Sequence, residues 1–490
     1  MSNTPNPPTE HFGNYLDGSW RTGQSGRFRS NLNPADLDDR IGEVTESGGA
    51  DIELAVDAAT RALPDWRARG PIARAEVLRR ASRLLADRRT EIAAMITREQ
   101  GKRAGEARGE VDRANEILEF TIGEARRLNG VTTPAEDPNT LAMTFRRSIG
   151  VVGLITPWNF PLAIPVWKVA PALLSGCTAV LKPSPFTPLT AAMLVQTLHD
   201  ADLPAGVLGL VQGDQAAGEA LVAHPAVRGI SFTGSLPVGR AIQQAGASRL
   251  LRTQLELGGK NAVIVLADAD LDKATDAILH GAFGQSGQRC SATSRVIVQR
   301  EVRDALLDRL VARASAMRVG PGEDEASDIG PVINPDRMEA CLTAVRNAVA
   351  AGARVACGGE QVTEGVPNGC YVRPTVLVDV APDSEIAQQE IFGPVLSVID
   401  CGGFDDAVRI ANSVRYGMSG TIFTADPNRI FAALDRLEAG MLHVNRPGVG
   451  AYAHLPHVGT KDSQFGPPEC SPEVWDFYTE WRSACISYDA

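Results

Sequence analysis

178-TAVLKPSPFTPLTAAMLVQTLHDADLPAGVLGLVQGDQAAGEALVAHPAVRGISFTG-234 sets three short β-rich runs against two amphipathic stretches. The runs are 178-TAVLKPS, 207-VLGLVQG and 229-GISFTG; between them lie 188-PLTAAMLVQTLHD and 214-DQAAGEALVAH. Strands alternating with helical segments signal βαβ units, and apolar runs of this kind suit a parallel sheet covered on both faces. The run 151-VVGLIT opens the same series, and a second one follows in 261-NAVIVL, 294-SRVIVQ, 395-VLSVID, 420-GTIFT and 440-GMLHVN. The fold class is therefore α/β, with two doubly wound, Rossmann-like domains.

Upstream, residues 50–126 read as helix. Ile52, Val56, Ala59 and Leu63 form one stripe behind Asp51; a second helix opens at Pro71, carries Leu78, Ala81, Leu85 and Ile92, and stops at Gly101. The segment 130-GVTTPAEDPNTLAMTFRRSIG and the tail 482-RSACISY fit neither series. These two β segments pair with each other, or with another subunit, or form a local hairpin and a frayed end. The Pro/Asn-rich start reads as disordered.

The 490 residues, at roughly 100–200 per domain, allow about two to four domains. A hydrophobic fraction of 44% and 22% charged residues exclude disorder and coiled coil as the dominant state. With 48 basic and 59 acidic side chains the net charge is −11, which speaks against nucleic-acid or anionic-membrane surfaces as partners. No secretory signal or membrane-length apolar run is visible. The eight cysteines include no CxxC pair, so no metal site is expected, and their scatter fits a reducing cytoplasm.

Several residues could carry chemistry. Cys290, in 284-GQSGQRCSATSR, follows a glycine-rich approach of the kind that exposes a nucleophile, although most cysteines are inert small hydrophobes. Glu256, in 255-LELGGKN, is a candidate general base or an ordinary loop carboxylate. Asn159, in 156-TPWNFP, can offer its amide to an oxyanion or simply precede the turn. The turn Thr233-Gly234-Ser235 leading to Gly239 lets backbone N–H groups approach a phosphate, as small residues at any βα turn would. Lys182, at the end of a strand in 182-KPSP, meets a ribose or phosphate, or is a solvated loop lysine. No G-x-G-x-x-G follows any strand.

Taken together, 156-TPWNFP, 182-KPSPFTPLT, 232-FTGS, 255-LELGGKN, 287-GQRC and 390-EIFGPV, in this order, resemble the aldehyde dehydrogenase superfamily from 14-NYLDGSW to 477-FYTEWRSACISY. The resemblance implies an NAD(P)-dependent, non-acylating enzyme that oxidises a small aldehyde to the acid. Cys290 would be the nucleophile, Asn159 and the Cys290 N–H the oxyanion donors, and Glu256 the base for thioester hydrolysis. Lys168 and Glu469 match positions proposed to relay protons. NAD or NADP would be held by Thr156, Trp158, Lys182, Ser184, Pro185, Gly234, Ser235, Gly239, Glu390 and Phe392. Substrate walls would be Phe160, Ile164, Trp167, Arg289, Ser291, His457 and Phe465. The family pattern divides the chain into a cofactor-binding domain (1–127 and 149–258), a catalytic domain (259–472), and an oligomerisation arm (128–148 with the strand 473–490), so a homodimer or homotetramer is expected.

Three departures from the pattern matter. Pro185 stands where NAD-preferring members often carry a glutamate, which predicts tolerance of, or preference for, NADP. His457, in 456-PHVG, replaces a common phenylalanine and is either a polar contact for a charged substrate or another flat ring. The segment 463-SQFGPPE has the spacing of the branch that includes 2,5-dioxopentanoate (α-ketoglutarate semialdehyde) dehydrogenases, while 469-ECSPEVWDFYTE departs from it. Arg289 either acts on Cys290 or a substrate carboxylate, or turns away into an ion pair. Rival readings are a CoA-acylating relative, a cofactor-independent esterase or thioesterase, and a non-catalytic binding protein on the same scaffold.

Overall fold

The structure, a computed structural model, describes residues 11–489; the expected disordered start at 1–10 lies outside them. Five parallel strands form the centre of an eight-stranded sheet, in the spatial order Arg252–Glu256, Val227–Thr233, Val151–Ile155, Thr178–Lys182, Leu208–Leu210. Val151–Ile155, the earliest of the five, has later strands on both sides, so strand order reverses there. A crevice opens at the carboxyl ends of strands beside such a reversal. Thr156–Phe160, Lys182, Gly234 and Glu256 all lie at those ends.

These strands are buried on both faces because helices cover both, and their Val, Ile and Leu side chains divide between two apolar clusters. The second sheet has seven strands, ordered Arg354–Cys357, Thr375–Val378, Val395–Cys401, Thr293–Gln299, Asn261–Val265, Ser419–Phe423, Met441–Val444. All pair in parallel except the first, an edge strand. Each strand run quoted above falls on one of these observed strands.

Several elements differ from expectation, among them the unanticipated strands Phe28–Asn33, Asp36–Thr45, Arg354–Cys357 and Thr375–Val378. The helix expected from Pro71 to Gly101 is two, Gly70–Asp87 and Arg89–Gln100, parted at Arg88. The Arg88 guanidinium is drawn to Thr197 Oγ1 (3.0 Å) and Asp200 Oδ2 (2.5 Å), while Leu78, Ala81, Leu85 and Ile92 stay buried across the break. The strands Asn14–Leu16 and Ser19–Arg21, not anticipated, form a hairpin on the first sheet. Its turn is Asp17-Gly18, both at positive φ (50° and 81°), the conformation an Asp-Gly pair favours. Arg252–Glu256 was likewise unread as a strand.

The two unassigned β segments pair with each other. Thr479–Ser487 runs antiparallel to Thr140–Ser148 in unbroken register from Thr479↔Ser148 to Ser487↔Thr140, with Thr132–Thr133 beyond. The tail is thus a full strand and not a frayed end. Exposed apolar side chains mark this small sheet: Leu141, Phe145, Trp481 and Ile486. No helix among the described residues is long and apolar enough to cross a membrane.

Candidate active site

A cleft of about 340 Å³ lies at the carboxyl ends of the first sheet, facing the second. Its lining includes Trp158, Asn159, Ile164, Gly234, Ser235, Glu256, Cys290, Glu390 and Phe392. Residues distant in sequence meet here because each follows a strand or a turn that ends at the same crevice.

Cys290 is presented by the turn Gly284–Gly287, in which Gln285, Ser286 and Gly287 all have positive φ (55°, 56° and 69°). A Cβ on Gly287 would sit 2.3 Å from the Gly393 carbonyl oxygen, so only glycine fits. The two non-glycine residues are strained and held by bonds from several elements. Gln285 N donates to Glu106 Oε1 (2.8 Å), Gln285 Nε2 to the Asn159 carbonyl (2.6 Å), and Ser286 Oγ to the Gly330 carbonyl (2.7 Å). Asn261 Nδ2 anchors the Cys290 carbonyl at 2.8 Å. Burial, reinforced by the Glu256 carboxylate, pushes the Cys290 thiol well up from its ordinary value.

Glu256, at the end of its strand, is buried, and neither carboxylate oxygen has a hydrogen-bond partner. His457 Nε2 lies 3.5 Å from Glu256 Oε1 and 3.8 Å from Cys290 Sγ. Backbone bonds between His457 and Glu469 (2.8 and 3.2 Å) fix the histidine, and its ring packs on Trp167 at 5.1 Å. Asn159 is buried; Nδ2 donates to the Gln288 carbonyl at 3.0 Å, leaving its second amide hydrogen for the cleft.

The loop bearing Asn159 rests on two residues the sequence reading missed. Lys102 Nζ donates to the Asn159 carbonyl (2.7 Å) and to Glu110 Oε2 (2.5 Å), and also lies 4.4 Å from the Phe160 ring centre. Glu110 Oε1 accepts from Leu162 N and Ala163 N (2.8 and 3.1 Å), closing the N-terminus of helix Ala163–Ser175. Lys168 Nζ forms a buried ion pair with Glu469 and donates to Ser231 Oγ at 2.9 Å. Burial raises Glu469, and Lys168 partly restores it.

On the other wall, Glu390 Oε1 accepts from Gly259 N at 3.0 Å, and burial pushes its carboxyl up to about 7. A Cβ on Gly258 would meet Glu390 Oε2 at 2.2 Å, so that glycine makes room for the carboxylate. Trp158 and Phe392 stack edge to face at 5.3 Å, Phe392 with φ +57°. Lys182 is buried rather than solvated; its Nζ donates to the Pro183 carbonyl (3.2 Å), and burial lowers it to about 8. Thr156 N bonds the Lys182 carbonyl at 3.2 Å, and Ser184 and Pro185 follow Lys182 on the same loop. A buried cation, a buried carboxylate and a cleft of this volume fit a dinucleotide's phosphates, ribose hydroxyls and ring.

Several expected contacts lie outside this lining: Thr156, Phe160, Trp167, Lys182, Ser184, Pro185 and His457, and four more. Arg289 points away from Cys290, its Nε donating to Gln285 Oε1 (2.9 Å) and its Nη2 3.5 Å from Glu106 Oε1, so of its two expected uses the ion pair is the one present. Gly239 faces Leu257, 2.5 Å from where its Cβ would be, and serves helix packing outside the cleft. Phe465 is half-exposed on a short strand paired with Leu255, and Ser291, although buried, does not line the cleft. Arg337, Gln389 and Tyr416 do line it and carried no motif.

The aldehyde dehydrogenase family profile matches residues 20–484. An alpha-ketoglutaric semialdehyde dehydrogenase of Bacillus subtilis is 40% identical over 475 residues, covering 96% of this chain and 97% of that one. An alpha-ketoglutarate semialdehyde dehydrogenase of Haloferax volcanii is 39% identical, covering 98% and 100%. Among solved structures, betaine aldehyde dehydrogenase from Staphylococcus aureus in complex with NAD+ superposes with a TM-score of 0.94 at 30% identity, covering 97% of this chain and 95% of that one. An E. coli NADP dependent enzyme does so with 0.94 at 34%, covering 98% and 99%. The crevice at the strand reversal, the thiol lining it and these matches over nearly the whole length agree: the chain belongs to the aldehyde dehydrogenase family, enzymes that oxidise aldehydes with NAD(P)+.

Proposed function

We propose that Cys290 is the nucleophile of this oxidation, on a small aldehyde bearing a carboxylate. The observation that carries the reading is the convergence of Cys290, Glu256 and Asn159 on one cleft whose far wall holds Glu390. The Cys290 S–H bond gives its proton to the Glu256 carboxylate beside it, which passes it to solvent; Sγ then adds to the aldehyde carbon, and the oxygen that gains charge is met by the Asn159 amide and the Cys290 N–H. A nicotinamide held by this cleft would supply the two-electron acceptor for the carbon's hydride. Glu256, whose oxygens carry no other hydrogen bond, takes the proton of the water that opens the resulting thioester. That base favours hydrolysis over transfer to CoA; product analysis with and without CoA tests the point.

Lys182, with Ser184, Gly234 and Ser235, would hold the dinucleotide's adenosine and phosphates, and Glu390 a ribose of the nicotinamide half. Pro185 brings no negative charge to the ribose beside Lys182, so NADP is accepted, and comparing kcat/KM for both cofactors tests this. Strict NAD specificity refutes it. The acid-semialdehyde assignment leans on the named relatives and on His457 beside the thiol. Purified protein with both cofactors and a panel of aliphatic, aromatic and carboxylated aldehydes, read as NAD(P)H absorbance, tests it; the carboxylated members should have the highest kcat/KM. Cys290→Ala should abolish aldehyde-dependent NAD(P)H formation and keep cofactor binding, and full activity in it discards the mechanism. The exposed apolar side chains of the arm sheet support a dimer or tetramer, and eight free cysteines support a reducing, cytoplasmic setting.

A further inference from the structure

Cys290 Sγ, His457 Nε2 and a Glu256 carboxylate oxygen lie within 4.8 Å of one another, arriving from three separate segments. We propose that these three side chains form a zinc site, and that Zn²⁺ bound there reversibly blocks the nucleophile.

The distances fit. A tetrahedral zinc with bonds of about 2.0–2.3 Å to N, O and S needs ligand atoms about 3.3–3.6 Å apart. His457 Nε2 stands 3.5 Å from Glu256 Oε1 and 3.8 Å from Cys290 Sγ, and the Cys290 and Glu256 ligand atoms lie within 4.8 Å of each other, so two of the three separations are already near the tetrahedral value. The donors are also available. Neither Glu256 oxygen has a hydrogen-bond partner, and His457 Nε2 is the ring nitrogen facing the cluster. The histidine is held on its backbone by Glu469 and on its ring face by Trp167, which limits the entropy lost on binding. Glu390 acts electrostatically on Cys290, and Glu469 feels Glu256, so the surroundings are negative; Lys168, the nearby cation, is paired with Glu469. Thiolate, imidazole and carboxylate together select zinc over magnesium or calcium, which need all-oxygen shells.

Binding is a substitution at sulfur. The S–H bond breaks, an S–Zn bond forms, and the proton leaves to solvent, one per metal, with no change of oxidation state. The sulfur pair that would attack an aldehyde is then held by the metal. The fourth position remains for water. The zinc site stands on the placement and surroundings of its three donors; only its inhibitory consequence rests on the proposed function.

The test uses chelator-treated, reduced protein without aldehyde or nucleotide. Titration with Co²⁺ should give a sulfur-to-metal charge-transfer band saturating at one metal per chain, with one proton released. X-ray absorption of the Zn²⁺ form should show one sulfur among nitrogen and oxygen neighbours. Competition with a chromophoric chelator should give a Zn²⁺ Kd at least tenfold weaker in His457→Phe and in Cys290→Ala. A wild-type shell without sulfur, or His457→Phe binding Zn²⁺ as tightly as wild type, overturns the proposal. Metal binding without aldehyde oxidation would overturn the catalytic reading alone, and oxidation without metal binding the zinc site alone.

Discussion

Lowering the pH from 8 to 6 should loosen this enzyme's grip on its cofactor, through Glu390. The carboxyl is buried, accepts one backbone hydrogen bond from Gly259, and is pushed up to about 7 by burial, with the Glu256 charge adding to the rise. If a ribose hydroxyl donates to Glu390, binding prefers the ionised form. At pH 8 about nine-tenths of the population is ionised, and at pH 6 just under one-tenth, so Kd should rise about tenfold, close to 1.4 kcal/mol. The same shift bears on stability with the opposite trend. The folded state holds this proton between the unfolded value of 4.5 and about 7, so Glu390's contribution falls as pH climbs through that window, by on the order of 3 kcal/mol. The assay is fluorescence titration of NAD(P)H at half-unit pH steps in wild type and Glu390→Gln. The glutamine variant should bind more weakly at pH 8 and should not loosen further as the pH falls, since the protonation of Lys182 acts the other way. A flat wild-type profile, or an equal step in Glu390→Gln, refutes the assignment.

Gly258→Ala should force the Glu390 carboxylate aside, since the new Cβ would come within 2.2 Å of Oε2; cofactor Kd should rise tenfold or more in the same titration. Glu110→Ala strands the buried Lys102 charge and uncaps the helix after Asn159, which should cost about 3–5 kcal/mol in urea unfolding. Trp481→Asp or Ile486→Asp should shift size-exclusion light scattering toward a smaller species while leaving monomer-level cofactor affinity intact.

The parallel strands were legible because burial on both faces leaves apolar residues at nearly every position, as in Asn261–Val265. Arg252–Glu256 escaped because its buried polar residues are satisfied by tertiary bonds that no local pattern announces: Thr253 by Gln243 and Gln254 by the Pro467 and Pro468 carbonyls. Glu106 and Glu110, four apart on a helix, carried no motif, yet one pins the Cys290 turn and the other the Asn159 loop. The site motifs were readable from spacing and resemblance. The approach of His457 to Cys290 across 167 residues was not, because it depends on how two loops close over one crevice. Asp17-Gly18 was a turn signal in plain view.

The strand Thr479–Ser487 completes a sheet whose other strands are made some 340 residues earlier on the ribosome. Both large sheets have all their strands by Phe465, so the crevice can assemble while the arm still lacks its outer strand. A polypeptide broken before Thr479 would keep the crevice but present Thr140–Ser148 with an unpaired edge, a ready signal by which incomplete chains could be told from finished ones.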